Sequence, residues 1–576
     1  MVTATKVATP ASKTPLSLSV VTGDDLKEAG ILEPRALEEL APNLQIGQES
    51  GKLQVAIRGV VSLDMTEKGD PSTAFNIDGA YVARYEAQVG AFMDLDRIEV
   101  LRGPQGTLYG RNATAGAINL ITRRGQGPQS GWASLGSGSF GLKRVSLGYK
   151  TPWPKAMVTI GYQGADGDFP YYFNEGLRYE HDQLAELRRR NDDFAQVSAD
   201  ARLQSEGTFG SVFLHGSGLL RRQGVAGIGQ PSSLPGQPTL QTGRALFDGG
   251  ARLRTPSPRI AIDLDGHLLV ERTQSKDLVA LPATLTEQLV EQAGLRSLLR
   301  VLTGPGAENA RSQLLAIAEF RYERMQQRDL CPAPRLDCDR LTAASSERLR
   351  GAMALGGELY LAEQRVLVEP GLHLLLARSA YESLGDRGNE SVSPTFDALP
   401  SPRAAARVLL KPWLLLRMSC GRFVRLPTFL ELFGDGAFFR KSLGLRPESA
   451  WTGELGIEAH GQLFSRLSTA LSLHAFGRTI DDLIDIEWAR IPHFYYGFYV
   501  YQYATGLSAA LALSRQILDE GQPAVDRYLR FLSSGSSRSS IELLRGAGVD
   551  MTTPAPVQAA MDRFDQLVDE LEALSA

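Results

Sequence analysis

No run of about 18 consecutive apolar residues occurs anywhere in the 576-residue sequence, which excludes helical membrane spans. A transmembrane β-barrel stays open, because barrel strands alternate in polarity and give weak hydropathy. Charge of one sign is also lacking: 61 Lys and Arg stand against 65 Asp and Glu, a formal net charge of -4. With no basic excess to hold a phosphate backbone, nucleic acid is not an expected partner. Three cysteines are too few for a disulfide scaffold. Cys331 and Cys338 flank a polar, proline-containing stretch that reads as a loop. One loop-closing disulfide and two unpaired thiols both fit it, since spacing does not fix Cα geometry. Cys420, inside an apolar run, reads as core or wall. The stretch Met1–Pro15 has no apolar core of the kind a secretory signal peptide carries. The chain is therefore expected to be cytoplasmic or to have its true start further upstream.

What is present points to strands. The sequence holds 58 glycines with a hydrophobic share of 43%, a mix that favours short strands and tight turns over long helices. Its length leaves room for two or three domains. Leu16 to Val21 alternates as a strand does, Thr22 with Asp25 makes a capping-box pattern, and Leu26 and Ala29 follow at helical spacing. A second short helix is predicted from Pro34 to Leu40. Short strands are predicted at Gln54–Gly59, Ala74–Val82, Arg97–Arg102 and Ala117–Thr122, separated by glycine turns. Together they make a compact α+β unit ending near Arg124.

From about Gly131 the alternating segments lengthen. In Gln196 to Gln204 the residues Val197, Ala199, Ala201 and Leu203 fall on one face, and Gln196, Ser198, Asp200, Arg202 and Gln204 on the other. Arg144–Lys150 and parts of Val158–Gln163 and Arg466–Phe476 repeat the pattern. A soluble antiparallel sheet with one buried face has the same period, so periodicity alone does not choose between the two. Between Leu281 and Gln327 the spacing of Leu295, Leu298, Leu299, Val301 and Leu302 predicts a long loop carrying a helix. After Ile486 an aromatic run leads into three amphipathic helices, predicted at Leu507–Leu518, Pro523–Leu532 and Pro556–Leu574.

The densest motif runs from Asp96 to Thr122: an apolar strand enters, Gly103, Gly106, Gly110 and Gly116 allow turns and close backbone approach, and a second strand leaves. No helix start and no Lys-Ser/Thr follows those glycines, which argues against a phosphate-cradling loop. The run closely resembles the end of the plug domain in TonB-dependent outer-membrane receptors. Upstream, Ile57-Arg58-Gly59 and Asn76-Ile77-Asp78-Gly79-Ala80-Tyr81-Val82 match the same family in the same order. Val2–Lys6 is similar to the tail of the energy-coupling segment that precedes such plugs. Arg58, Gly59, Asp78, Gly79, Glu99, Arg102, Gly103, Gly106, Tyr109 and Gly110 are the plug-motif residues that the resemblance singles out, with Glu99 and Arg102 placed toward a polar barrel lumen. Further on, Gly421–Gly436, Leu445–Ser449, Glu454–Gly456 and Asp481–Ile484 resemble the late barrel of that family.

The resemblance changes near residue 485. Arg490–Gly506, Phe531–Gly535 and Ala547–Met551 resemble the C-terminus of oligoendopeptidase F, a zinc metallopeptidase. By that resemblance His493, Tyr496 and Tyr499 correspond to cleft residues that hold the substrate carbonyl and the developing oxyanion. A zinc peptidase needs His-Glu-x-x-His on a helix, and none of the seven histidines is followed by Glu. Neither metal ligands nor catalytic residues are expected, and no cofactor.

These readings predict an α+β plug over 1–125, a short and incomplete antiparallel transmembrane β-barrel of about 14–18 strands over 126–485, and an all-α segment over 486–576. The resemblance implies a receptor of the cell outer membrane, set in outer-membrane lipid, taking up a scarce small ligand such as a ferric siderophore with a TonB-type energy-coupling protein as partner. The alternative is a fragment of a zinc oligopeptidase, inactive for want of its zinc motif. The chain closes on an acidic amphipathic helix instead of an aromatic-ended strand, so a barrel that does not close is expected.

Overall fold

The computed structural model describes residues 17–29, 34–49, 52–60, 71–82, 95–103, 115–125, 127–167, 170–174, 184–188, 191–225, 238–277, 284–303, 312–329, 343–363, 365–385, 388–433, 442–463, 467–482, 501–535 and 537–575. The chain divides into two compact units, Met1–Ile484 and Asp485–Ala576.

The first unit opens with a small α+β domain. Strand β1 (Leu18–Thr22) runs into helix α1 (Gly23–Glu28). The capping box read in the sequence is formed: Thr22 N donates to Asp25 Oδ2 at 2.8 Å, and Asp25 N donates to Thr22 Oγ1 at 3.1 Å. A 3₁₀ turn at Pro34–Glu39 stands where the second helix was predicted, with β2 (Leu44–Glu49) and β3 (Lys52–Ile57) paired after it. Next come β4 (Thr73–Ile77), β5 (Ala80–Tyr81), β6 (Leu95–Arg102) and β7 (Gly116–Thr122). They form with β1 a five-stranded sheet in the order β1-β6-β7-β4-β5, with β4 parallel to β7. Ile57, Ile98, Val100, Ile118 and Leu120 are fully buried between the sheet and its covering elements. Each such side chain contributes about 1.5–3 kcal/mol of burial.

A 15-stranded antiparallel sheet follows. It begins with β8 (Ser130–Ser137), β9 (Lys143–Pro152) and β10 (Lys155–Ala165); a separate hairpin, β11 (Pro170–Asn174) with β12 (Leu184–Arg188), interrupts it. The wall continues through β13 (Phe194–Gly207), β14 (Gly210–Gly224), β15 (Thr239–Arg254), β16 (Ile260–Asp277), β17 (Thr284–Thr303) and β18 (Ser312–Asp329). It ends with β19 (Ala343–Leu361), β20 (Val366–Gly385), β21 (Gly388–Lys411), β22 (Leu414–Arg425), β23 (Glu448–Leu463) and β24 (Leu467–Asp481). Strands of the wall pair in chain order except that β10 pairs with β13. Among the described residues β8 pairs only with β9 and β24 only with β23, so the barrel is not closed.

The helix expected between Leu281 and Gln327 is not found among the described residues: Leu295 to Leu302 lie in β17, and β18 follows. Leucines occur on both faces of β17: Leu295 and Leu299 point outward, whereas Leu298 and Leu302 are buried inside. The two sets interleave at spacings of three and four, which imitates a helix.

Burial decides what kind of sheet this is. On β13 the apolar Val197 and Leu203 are 46% and 45% exposed, while the polar Gln196 and Arg202 are 3% and 8% exposed. Leu214 (65%), Phe247 (61%) and Leu295 (66%) continue the exposed apolar face, and Gln223, Thr242, Glu271 and Gln292 the buried polar one. In water a face of bare leucines forfeits about 1.5–3 kcal/mol per side chain. Against hydrocarbon it forfeits nothing, and polar groups belong inside.

The connections agree. Tight turns at 153–154, 208–209 and 412–413 lie at one end of the wall, and the strand ends that flank the longer stretches 166–193, 225–238, 330–342 and 426–447 lie at the other. Short turns on one side and long loops on the other are the arrangement of outer-membrane barrels. Trp153, Phe209 and Trp413 sit exposed in three of the tight turns, as an interfacial aromatic girdle would. Among the described residues no helix is long and apolar enough to cross a membrane.

The second unit is helical: α3 (Tyr501–Glu520), α4 (Gln522–Ser533), α5 (Ser540–Gly546) and α6 (Ala555–Ser575), with α2 reserved for a short helix in the first unit, Phe429–Phe433. Its core is Ala509, Leu513, Ala547 and Val549. Helix α5 was not predicted, although Ser539 and Glu542 form the capping box that its sequence spells.

Candidate functional site

The plug touches the wall at widely separated strands, which requires the sheet to curl around it. On one side Arg58, in the turn after β3, reaches Glu454 on β23: Nη2 donates to Oε1 at 2.8 Å and Nη1 to Oε2 at 3.1 Å. The Arg58 guanidinium also lies 4.6 Å from the Phe476 ring centroid on β24, and His474 Nδ1 is 3.0 Å from Glu454 Oε1. Arg58 holds φ 54° and Gly59 φ 75°, so Ile57-Arg58-Gly59 is a turn that aims its arginine outward from the plug.

On another side Asp78, at φ 47° between β4 and β5, approaches β13 and β14. Its Oδ1 accepts from Thr122 N at 3.2 Å, Arg202 Nη1 lies 3.7 Å from its Oδ2, and His215 Nδ1 lies 3.6 Å from the same oxygen. Gly79 follows at φ 95°, closing the turn. The plug side chain Tyr81 meets Arg321 of β18, whose guanidinium is 5.8 Å from its ring centroid.

Glu99 does not face a wet lumen as anticipated, whereas Arg102 lines a cavity that the plug shares with Arg403, Glu454 and Phe476 of the wall. Glu99 is fully buried and accepts from Arg97 Nε at 2.8 Å. Arg102 braces the plug from within: its Nε donates to the Pro42 carbonyl at 2.7 Å, and its other nitrogens reach Ser17 and Ser19. Burial, with Arg58 nearby, draws its guanidinium below the ordinary arginine range. Gly103 takes φ 79° and ends β6. Gly106, Tyr109 and Gly110 lie outside the described residues, as do Cys331 and Cys338, and His493, Tyr496 and Tyr499. Cys420 is an exposed residue of β22.

The late-barrel motif has a structural purpose. Thr428 and Glu431 cap α2 reciprocally, and Arg425, ahead of that helix, binds both Glu431 within it and Glu448 behind it. Phe429 and Phe433 are thereby buried against Val290 and Met325 inside the wall, with Arg348 over the Phe429 ring and donating to the Pro427 carbonyl at 2.7 Å. The start of the connection after β22, through Phe433, thus packs inward against the wall.

Comparison with known proteins matches these parts. Residues 10–117 match the TonB-dependent receptor plug domain and residues 309–509 the TonB-dependent receptor-like β-barrel. Up to Ile484 the chain is similar to TonB-dependent receptors in both plug and barrel. The crystal structure of the ferric yersiniabactin uptake receptor FyuA from Yersinia pestis superposes with TM-score 0.62 at 17% identity, covering 82% of this chain and 73% of that one. The unliganded ferric citrate transporter FecA gives TM-score 0.61 at 14% identity, over 81% and 70%. In sequence the Yersinia pestis pesticin receptor is 30% identical over 175 residues, 29% of this chain and 26% of that protein. Behind the receptor part, residues 469–563 match peptidase family M3. Oligopeptidase PepF of Bacillus subtilis is 61% identical over 98 residues, 17% of this chain. The chain spans only 15% of that relative's length. The barrel and peptidase matches overlap across the boundary between the two units.

Proposed function

We propose that the receptor part binds a small iron chelate, a ferric siderophore, from the long-loop side of an outer-membrane barrel and admits it by plug displacement driven by a TonB-type energy-coupling protein. The plug–wall seam supports this reading best. The plug keeps its own apolar core, to which the wall adds Leu246 and Leu269, and meets the wall largely through charged contacts such as Arg58–Glu454 and Asp78–Arg202. Charged contacts can be exchanged for water when the plug shifts, whereas a shared apolar core would have to be torn open. The similar solved structures include a ferric yersiniabactin uptake receptor, an alcaligin outer-membrane receptor and a ferric citrate transporter.

The peptidase-like segment adds no proteolysis in this reading, because no His-Glu-x-x-His exists to carry zinc. His493, Tyr496 and Tyr499 are then oxyanion-side residues without a metal to work beside. The test is uptake: the chain is given a secretion signal in a host stripped of its own siderophore receptors and supplied with radioactive ferric chelates. Energy-dependent accumulation of one chelate is the expected result. Accumulation of none, with the protein present in the outer membrane, would refute the proposal.

A further inference from the structure

His215 of β14 is enclosed by carboxylates from three separate segments. Its Nδ1 lies 2.6 Å from Asp248 Oδ1 on β15 and 3.6 Å from Asp78 Oδ2 in the plug, and its Nε2 lies 3.5 Å from Asp200 Oδ1 on β13. The side chains of His215, Asp248 and Asp78 are 1%, 6% and 7% exposed. One ligand atom from each of these three falls within 4.8 Å of the others. The second oxygen of Asp248 is buried and accepts no hydrogen bond, an expense a protein seldom leaves standing without a ligand.

We propose that Asp78, His215 and Asp248 bind a divalent first-row transition ion at the seam between plug and wall. One imidazole nitrogen with two carboxylates is a donor set for Zn²⁺, Mn²⁺ or Fe²⁺; Ca²⁺ and Mg²⁺ prefer oxygen alone. The neutral ring presents the Nδ1 lone pair, so any proton held there leaves to solvent as the ion enters. Arg202, near Asp78, offsets the remaining carboxylate charge. Asp78 belongs to the plug and the other two ligands to the wall. An occupied site therefore ties the plug to β14 and β15, a restraint distinct from Arg58–Glu454.

The test uses the whole chain, without a histidine tag, in detergent micelles and stripped with chelator. Titration with Zn²⁺ followed by calorimetry is expected to show saturable binding that weakens about tenfold or more in both Asp78→Asn and His215→Gln. Since those variants can misfold, a second measurement is made on the unaltered protein: Fe²⁺ with ascorbate and peroxide, which cleaves backbone beside a bound ion. Cuts clustered near 78, 215 and 248 are expected. No zinc binding, binding unchanged in folded variants, or cuts confined to other segments would each overturn the proposal.

Discussion

Arg58 and Glu454 are 396 residues apart in the chain and face each other through two hydrogen bonds, 3.1 and 2.8 Å long. The guanidinium is 7% exposed and the carboxylate 16%, so each charge depends on the other for most of its solvation. Removing one partner of a buried pair is expected to cost about 3–5 kcal/mol, and His474 beside Glu454 moves the arginine variant toward the lower end. Arg58→Ala and Glu454→Ala should each lower the denaturant concentration at which the plug becomes protease-sensitive. The double variant should lose less than the two single losses combined. Strict additivity would mean that the contact does not hold the plug.

The plug should fold by itself. Its core is almost wholly internal, and Ile118 at the centre of β7 is fully buried. Residues 1–125 expressed alone are expected to give a mixed α/β circular dichroism spectrum with cooperative melting, and Ile118→Ala should remove about 2–5 kcal/mol of its stability. A coil spectrum would show that the wall is needed to form it.

In the helical unit Arg545 Nε donates to Asp550 Oδ2 at 3.0 Å, and Thr552 donates through N and Oγ1 to Asp550 Oδ1. Arg545 first, then Thr552, hold the Asp550 carboxyl below the ordinary aspartate range. A carboxyl depressed in the folded state adds stability above its unfolded value, about 3.9, and that contribution disappears as pH falls below it. The melting temperature of this unit should therefore be level from pH 7 to 5 and drop below pH 4, with a smaller drop in Asp550→Asn. An equal acid response in both proteins would remove Asp550 from the explanation.

No zinc-dependent peptidase activity is expected from the full chain. A quenched oligopeptide should remain intact with zinc added, and turnover that a chelator abolishes and zinc restores would contradict the assignment.

Local signals were legible in the sequence and remote ones were not. Thr22–Asp25 follows from cap chemistry within a few residues, and the structure forms it, whereas the single strand expected over Ala74–Val82 turns at Asp78 and Gly79 into β4 and β5. Ser539–Glu542 was equally plain, yet α5 is a single short helix between loops and lacks the apolar period that drew attention elsewhere. Strand β17 misled because Leu298 and Leu302 are apolar on the inner face, breaking the alternation that made β13 readable. Arg58 stood out as a motif residue, but Glu454 as its partner did not: the pair exists only because the wall wraps the plug, and nothing near either residue encodes the other. His215 and Asp248 carried no pattern at all.

The wall's inverted burial gives the sharpest prediction, because the two readings that share one sequence period differ in what surrounds the outer face. Leu214 on β14 is exposed and belongs to the apolar outer face; neighbouring His215 is buried on the other. If that outer face met water, Leu214→Arg would fall within about 0.5 kcal/mol of neutral, as exposed substitutions do. Facing hydrocarbon near mid-depth, the same change costs about 2–4 kcal/mol. The counterpart is Phe209→Arg, in a tight turn at the wall's end, where the penalty falls to about 0–1 kcal/mol. Folding into lipid vesicles, followed by urea titration, should therefore rank Leu214→Arg well below Phe209→Arg. Equal stabilities, or a chain that folds in buffer without lipid or detergent, would mean that the outer leucines face water and that the sheet is not a membrane wall.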